Sequence, residues 1–347
     1  MSLIRNLYRH WRAIALGVVL LSTSAINATA QVKVTLAHAG TQLMRLPLYI
    51  AIQNNYFKEE GLDLEVVEIR SGSDGMKMLA GNAVTFAAGQ LIDAVNLNKQ
   101  GIHTLGFVML TQRLTNSIVV RQAVANKFKS MKDLKGANVG VTGVGSGTWQ
   151  FAIFAGTLEG MKADDFNFIA VGAGAGVIGS MKAGRIDAMS YSDPENLQMV
   201  KDGDAQFLID MADDATHLKI LGESYLNNQI MVLNSYAKAN PKTIQAFSNA
   251  IQKAVVWVNT HSIDENAKLL HSYPAFSELP YDQFLVSVRR TLPSGVGKSA
   301  IITRAAFDSA MRLPVAVGVL DAPMPYEQLV DSSFAEVASR AFPVPGK

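Results

Sequence analysis

Val139–Leu158, VGVTGVGSGTWQFAIFAGTL, is the stretch on which the fold turns. Val139–Thr142 alternates small and β-branched residues with the period of a strand. Gly143–Gly147 is too rich in glycine for regular structure, and Trp149–Leu158 carries apolar residues at helical spacing. The pattern predicts strand, glycine loop, helix. The first helical N–H groups, near Ser146, Gly147 and Thr148, then have no intrahelical acceptor, and the helix dipole adds roughly half a positive charge there. Such a start is a ready anion site. Ser146 and Thr148 contribute hydroxyls, and the glycines let a ligand approach the backbone. Either hydroxyl would equally serve as a helix cap alone.

The same alternation extends in both directions. Upstream, Val32–His38, Leu62–Ile69, Val84–Ala88 and His103–Met109 read as strands, separated by a helix from Pro47 through Phe57, a second capped within Ser71–Asp74, and a third over Gln90–Lys99. Downstream come a strand at Asn167–Val171, a short helix to Ala183, a strand at Ile186–Ser190, a helix at Pro194–Val200 and a strand at Gln206–Ile209. This is the signature of α/β architecture with parallel sheets covered on both faces. Ile118–Arg121 leads out of the first alternation, and Asp210–Asn228 reads as polar connection. Gln229–Asn234, a strand with no neighbour in sequence, reads as the return to the first unit. The C-terminal third is helical: Ile244, Phe247, Ile251, Ala254, Val255 and Val258 keep one face over more than four turns, with Ser262, Ser299 and Ser332 as N-caps of later helices. That third carries no evident chemistry and is expected to pack on the first unit and fix the hinge.

The first thirty residues stand apart. Arg5, Arg9 and Arg12 form a basic region, Ala13–Ile26 an apolar run, and Ala28-Thr29-Ala30 a small-x-small cleavage pattern. The run is shorter than the about 20 residues of a membrane span. A secretory signal over residues 1–30 is expected, with an uncleaved anchor as the rival. The whole chain has 31 basic and 29 acidic residues, and removing the three arginines leaves 28 against 29. The basicity therefore belongs to the signal, and no nucleic-acid partner is indicated. With no cysteine there is no disulfide, thiol catalysis or lipid-anchoring Cys. Retention after export then implies a periplasm.

The segments Leu46–Gly61 (LPLYIAIQNNYFKEEG), Ser71–Gly75 (SGSDG), Leu134–Thr148 (LKGANVGVTGVGSGT) and Met181–Pro194 (MKAGRIDAMSYSDP) carry a resemblance. The chain resembles the periplasmic substrate-binding proteins of ABC importers, in the branch for sulfonates, taurine, nitrate, aromatic carboxylates and thiamine-pyrimidine precursors. The resemblance implies a type II periplasmic-binding-protein fold with two lobes joined by a two-crossover hinge. Residues 31–118 and 222–347 are expected to form lobe 1, and 119–221 lobe 2. It also implies a monomer that captures a small, anionic ligand without a cofactor and delivers it to an inner-membrane ABC permease and its ATPase. Carried across position by position, it points to Thr41, Gln42, Ser73, Gln90 and Thr111 from the first lobe. From the second it points to Ser146, Gly147, Thr148, Tyr191 and Asp193. Arg45 and Arg113 fall in cleft-facing loops and could supply a counter-charge, although surface exposure is their expected state. Tyr191 and Tyr225 could stack on a ring, which a small inorganic anion would not need.

Three rivals remain open. Gly174-Ala175-Gly176-Val177-Ile178-Gly179 matches the dinucleotide fingerprint with Asp193 about twenty residues on, but its helix ends by Gly184 and the motif lies deep in the chain. The six histidines are scattered, none within four residues of another histidine and with no cysteine in the chain, so a metal site is unsupported. An enzyme on the same fold, of the thiamine-pyrimidine or menaquinone-pathway type, would use Asp193 or His38 as general base. The thiamine-pyrimidine enzymes of this fold carry a cysteine-rich motif that this chain lacks. A ligand-presenting sensor is the third.

Overall fold

The computed structural model describes residues 31–40, 42–174 and 176–346. The expected signal segment and Thr41 lie outside them. Strand and helix alternate through both halves. The first runs β1 (Val32–Ala39), α1 (Leu46–Gln53), β2 (Leu62–Ile69), α2 (Gly72–Ala80), β3 (Phe86–Gly89), α3 (Leu91–Lys99) and β4 (Thr104–Thr111). The second runs β5 (Ser117–Arg121), β6 (Asn138–Val141), α4 (Gly147–Thr157), β7 (Asn167–Ala170), α5 (Gly176–Lys182), β8 (Ala188–Tyr191), α6 (Glu195–Lys201) and β9 (Ala205–Ile209). Then come α7 (Asp214–Leu221), β10 (Asn228–Leu233), and a tail of α8 (Pro241–Thr260), α9 (Ile263–His271), α10 (Tyr281–Gly295), α11 (Arg304–Ala316) and α12 (Ser333–Ala341).

Two five-stranded sheets result, ordered β2-β1-β3-β10-β4 and β7-β6-β8-β5-β9. In the first, β1 pairs in parallel with β2 and β3, while β10 enters antiparallel between β3 and β4. In the second, β6 pairs in parallel with β7 and β8, and β5 is the antiparallel insertion. The chain thus passes between the sheets twice, through residues 112–116 and 210–227. The parallel strands deliver their C-termini to one edge of each sheet, where α2, α3 and α4 begin, which is where open α/β sheets place ligands.

Packing explains why the strands read as near-continuous apolar runs. All eight residues of β4 are buried, as expected for a strand covered on both faces. One face of the first sheet lies on the tail, where Phe247 of α8 meets the rings of Phe57, Phe86 and Phe107 at 4.8, 4.7 and 5.6 Å. Another apolar cluster runs from β1 and α3 through β5 and α4 to α11, so a continuous core joins both sheets. A smaller one covers the outer face of the second sheet around Met181 and Met189. The tail also reaches the second half: Arg290 of α10 bonds Asp210 through both carboxylate oxygens at 2.7 Å and Asp193 at 3.3 Å. Among the described residues no helix is long and apolar enough to cross a membrane.

Several elements differ from expectation. The helix after Pro47 stops at Gln53 because Asn55 adopts φ +59°, and Tyr56–Glu59 forms a separate turn. The polar stretch after Asp210 contains α7, capped by Asp213, with only His217 and Leu221 buried, so it offers too few apolar positions to show a helical period. Ile118–Arg121 is part of the second sheet, and Thr303, not Ser299, caps α11. The short helix expected after the G-x-G-x-x-G motif is present as α5, seven residues long, but it begins at Gly176, inside the motif.

Candidate ligand-binding site

After β6 the backbone turns through Gly145 at φ +83°, and Ser146 caps α4. The glycine loop folds three hydroxyls into a triangle. Thr142 Oγ1 donates to Ser146 Oγ at 3.0 Å, Thr142 and Thr148 hydroxyls lie 3.0 Å apart, and those of Ser146 and Thr148 2.9 Å apart. Thr142 N–H also donates to Thr148 Oγ1. In this arrangement the hydroxyl protons are satisfied among themselves. Gly147 is required by a close approach from the other sheet: a Cβ there would lie 1.2 Å from Gln90 Oε1.

Opposite stands the turn Leu43–Arg45. Its Arg45 is 3% exposed, not a surface residue, because the chain folds its own carbonyls around the guanidinium. Nη1 donates to the carbonyls of Ala39 and Gly40 at 3.1 and 3.0 Å and to Gln42 Oε1 at 3.5 Å. Asp93 of α3 accepts from Gln90 N–H at 2.8 Å in a capping box. Burial pushes its carboxyl up to about 7, against the opposing pull of that N–H and of Arg45. Asn116 comes from the first crossover and Asn228 from the start of β10.

These groups surround a cavity of about 30 Å³ lined also by Ala39, Met44, Gly72, Gly89, Thr142 and Thr148. A water needs roughly 10–15 Å³ by this measure, so the volume suits about two. Its walls hold an unusual concentration of buried polar atoms that have no hydrogen-bond partner among the described residues: Gln42 Nε2, Arg45 Nε, Asp93 Oδ1, both side-chain atoms of Asn116, and Asn228 Oδ1. Native structures leave few such atoms per hundred residues. Here they converge on one space, offering a cation and amide donors on one hand and carbonyl or carboxyl acceptors on the other.

Of the residues the sequence singled out, the structure gathers Gln42, Gln90, Ser146, Gly147 and Thr148 around this cavity. Thr111 stands behind it, donating to Met44 O at 2.9 Å and accepting from Asn227 at 3.1 Å. Ser73 bonds Ser71 at 2.9 Å and faces Gly143 at the seam between sheets. Tyr191 is buried in packing and accepts from Gly174 N–H at 3.1 Å, and burial raises its hydroxyl well above the usual range. Asp193 pairs with Arg290 away from the cavity. Tyr225 lies in the shared core, so among the described residues no aromatic ring lines the cavity. Arg113 binds His217 and Asp214 elsewhere. His38 is buried, holds Gly40 O through Nδ1 at 2.9 Å, and is driven by burial and Arg45 down to about 3. Asp93, Asn116 and Asn228 were not anticipated. The pattern Gln90-x-x-Asp93 at a helix start is the one local signal that marks any of them.

The two sheets meet around the cavity. Asn96 Nδ2 donates across to Gly145 O at 3.0 Å, and Gly40 sits so close to Ala173 that an added Cβ would lie 2.9 Å from it; on the first-sheet side Gln90 Nε2 donates to Asn227 Oδ1 at 2.9 Å.

The sequence profile of a family described as NMT1/THI5 like matches residues 43–262. A solved structure from Bordetella bronchiseptica RB50 superposes with a TM-score of 0.83 at 25% identity, covering 90% of this chain and 98% of that one. The alkanesulfonate-binding protein SsuA from Xanthomonas axonopodis pv. citri, solved with MOPS, gives 0.70 at 16% identity over 88% and 99%. The 4-amino-5-hydroxymethyl-2-methylpyrimidine phosphate synthase THI5 of Saccharomyces cerevisiae is 25% identical over 255 residues, 69% of this chain and 71% of its own. The architecture is the periplasmic-binding-protein fold.

Proposed function

The chain belongs to the NMT1/THI5-like family, and from that premise we propose that it is the solute-binding component of an ABC importer, exported to the periplasm by its first thirty residues. Its two lobes, meeting near residues 118 and 222, close on a small organic anion and present the closed form to the permease. The observation that carries this reading is the convergence of unpartnered donors and acceptors on one cavity beside a buried, carbonyl-wrapped Arg45. Arg45 and the start of α4 would take the anionic group. Asp93, Asn116 and Asn228 oxygens would accept from a donor elsewhere on the same ligand. A non-aromatic sulfonate or carboxylate bearing an amine or hydroxyl has that chemistry, and the lack of aromatic walls disfavours a stacked ring. A ligand of more than a few heavy atoms needs the lobes to part, through the crossovers 112–116 and 210–227, before they close on it.

A synthase is the second reading, favoured by one observation: Asp93 lines the cavity with its carboxyl near 7, the range of a general acid or base. Asp193 and His38 do not serve it, since neither lines the cavity. The test is a thermal-shift screen with small sulfonates, carboxylates and pyrimidines, followed by mass analysis of whatever ligand shifts the protein. Saturation near one equivalent with the ligand recovered unchanged supports capture. Conversion of the ligand over repeated turnovers supports the synthase and rejects the importer reading.

A further inference from the structure

A second cavity, of about 310 Å³, lies between the second sheet, the edge of the first and the tail, and it shares no lining residue with the Arg45 cavity. Its volume is at the lower end for small-molecule sites. Its polar side chains are Glu68 from β2, Glu195 and Gln198 from α6, and Glu278 from the tail; among the described residues no basic side chain lines it. Ile178 and Phe276 supply an apolar wall. Glu195 is 8% exposed, and its Oε2 is buried without a hydrogen-bond partner among the described residues. Three carboxyl groups around one space, one of them buried and unpartnered, ask for a cation, and the apolar wall asks for a short hydrocarbon attached to it.

We propose that this cavity is a second binding site, which takes a small aliphatic amine with its ammonium on Glu195 and Glu68 and its chain against Ile178 and Phe276. Burial, with the nearby Asp193 and Glu68 charges adding to it, pushes the Glu195 carboxyl up to about 8, an environment that an ammonium would relieve. The same acidity disfavours a pyrophosphate beside the glycine cluster at Gly174, which borders this space. The proposal is independent of the ligand taken at Arg45.

Calorimetric titration with n-butylamine tests it, with butyrate as the anionic control of matching size. The expected result is a saturable single site for n-butylamine and none for butyrate. Glu195→Gln should weaken it about ten- to hundredfold, the worth of a charge-assisted hydrogen bond. Should that variant fail to fold, Glu278→Lys, a charge reversal at an exposed rim position, decides by the same measure. Absence of saturable n-butylamine binding, equal binding of butyrate, or undiminished affinity in the deciding variant overturns the proposal.

Discussion

Replacing Gly147 by alanine should loosen ligand binding through a residue on the opposite sheet. The new Cβ would sit 1.2 Å from Gln90 Oε1, 2.3 Å from its Cδ and 3.0 Å from its Cγ, so the Gln90 side chain must leave. It is the flexible end that moves, but it breaks the 2.9 Å bond to Asn227, which in turn holds Thr111 and through it Met44 on the cavity wall. Losing that bond costs about 1 kcal/mol, and leaving the buried Asn227 oxygen unpaired about 1–3 kcal/mol. The helix gains at most about 1 kcal/mol from glycine to alanine. The closed arrangement is thus destabilised by about 1–3 kcal/mol, and a ligand that binds it should lose roughly 5- to 150-fold in affinity. Isothermal titration of wild type, Gly147→Ala, Gln90→Ala and the double variant measures this. In the Gln90→Ala background the three atoms nearest the new Cβ are gone, and the alanine at 147 should be nearly silent. An equal loss in both backgrounds would refute the reasoning.

Two further outcomes follow from the electrostatics. Burial raises Asp93 to about 7, Asp193 to about 6 and Glu195 to about 8, so the folded chain holds these protons more tightly than the unfolded chain. Their contribution to stability therefore falls as pH rises to about 8, and it outweighs the opposite contribution of the buried His38 and His217, lowered to about 3 and about 4, which is complete above about 6.5. One unit of displacement is about 1.4 kcal/mol, so Tm at pH 5 should exceed that at pH 8 by at least about 3–5 °C, and Asp93→Asn should shrink the gap; a flat or inverted profile in a calorimetric scan contradicts it. Arg290→Met should destabilise by about 2–3 kcal/mol, because it strands Asp193 and Asp210 beside each other, and Asp193→Asn in the same chain should restore part of the loss in urea unfolding.

The fold was legible wherever local pattern and tertiary role agree. Leu62–Ile69 is a strand with the expected ends, and VGVTGVGSGTWQ folds as strand, loop and helix start, because burial and propensity point the same way there. The apolar stripe of α8 from Ile244 to Val258 is buried as its spacing requires. Legibility failed where a single residue decided, as at Asn55, or where a helix such as α7 is held by two buried positions. In the site, positions that follow a strand were visible: Gln42, Gln90 and the Ser146–Thr148 start. Arg45 was named as a possible counter-charge, but its burial was not foreseen, because it depends on the carbonyls of Ala39 and Gly40 curling back on it, a geometry with no sequence signature. Asn116 and Asn228 enter from the crossover and the return strand, so only the assembled sheets bring them to the cavity. Tyr191, expected as a stacking platform beyond the strand, is the last residue of β8 and is used for packing and for holding Gly174.

The central claim is that a small organic anion is held at Arg45. Its most direct test is calorimetric titration with 2-aminoethanesulfonate, ethanesulfonate and 3-hydroxypropionate, on wild type and on Arg45→Met with its fold checked by circular dichroism. The account predicts a single site near micromolar affinity, about −8 kcal/mol, for at least one of them, weakened about a hundredfold or more in the folded variant. Silence from all three, or equal affinity without the guanidinium, would contradict it.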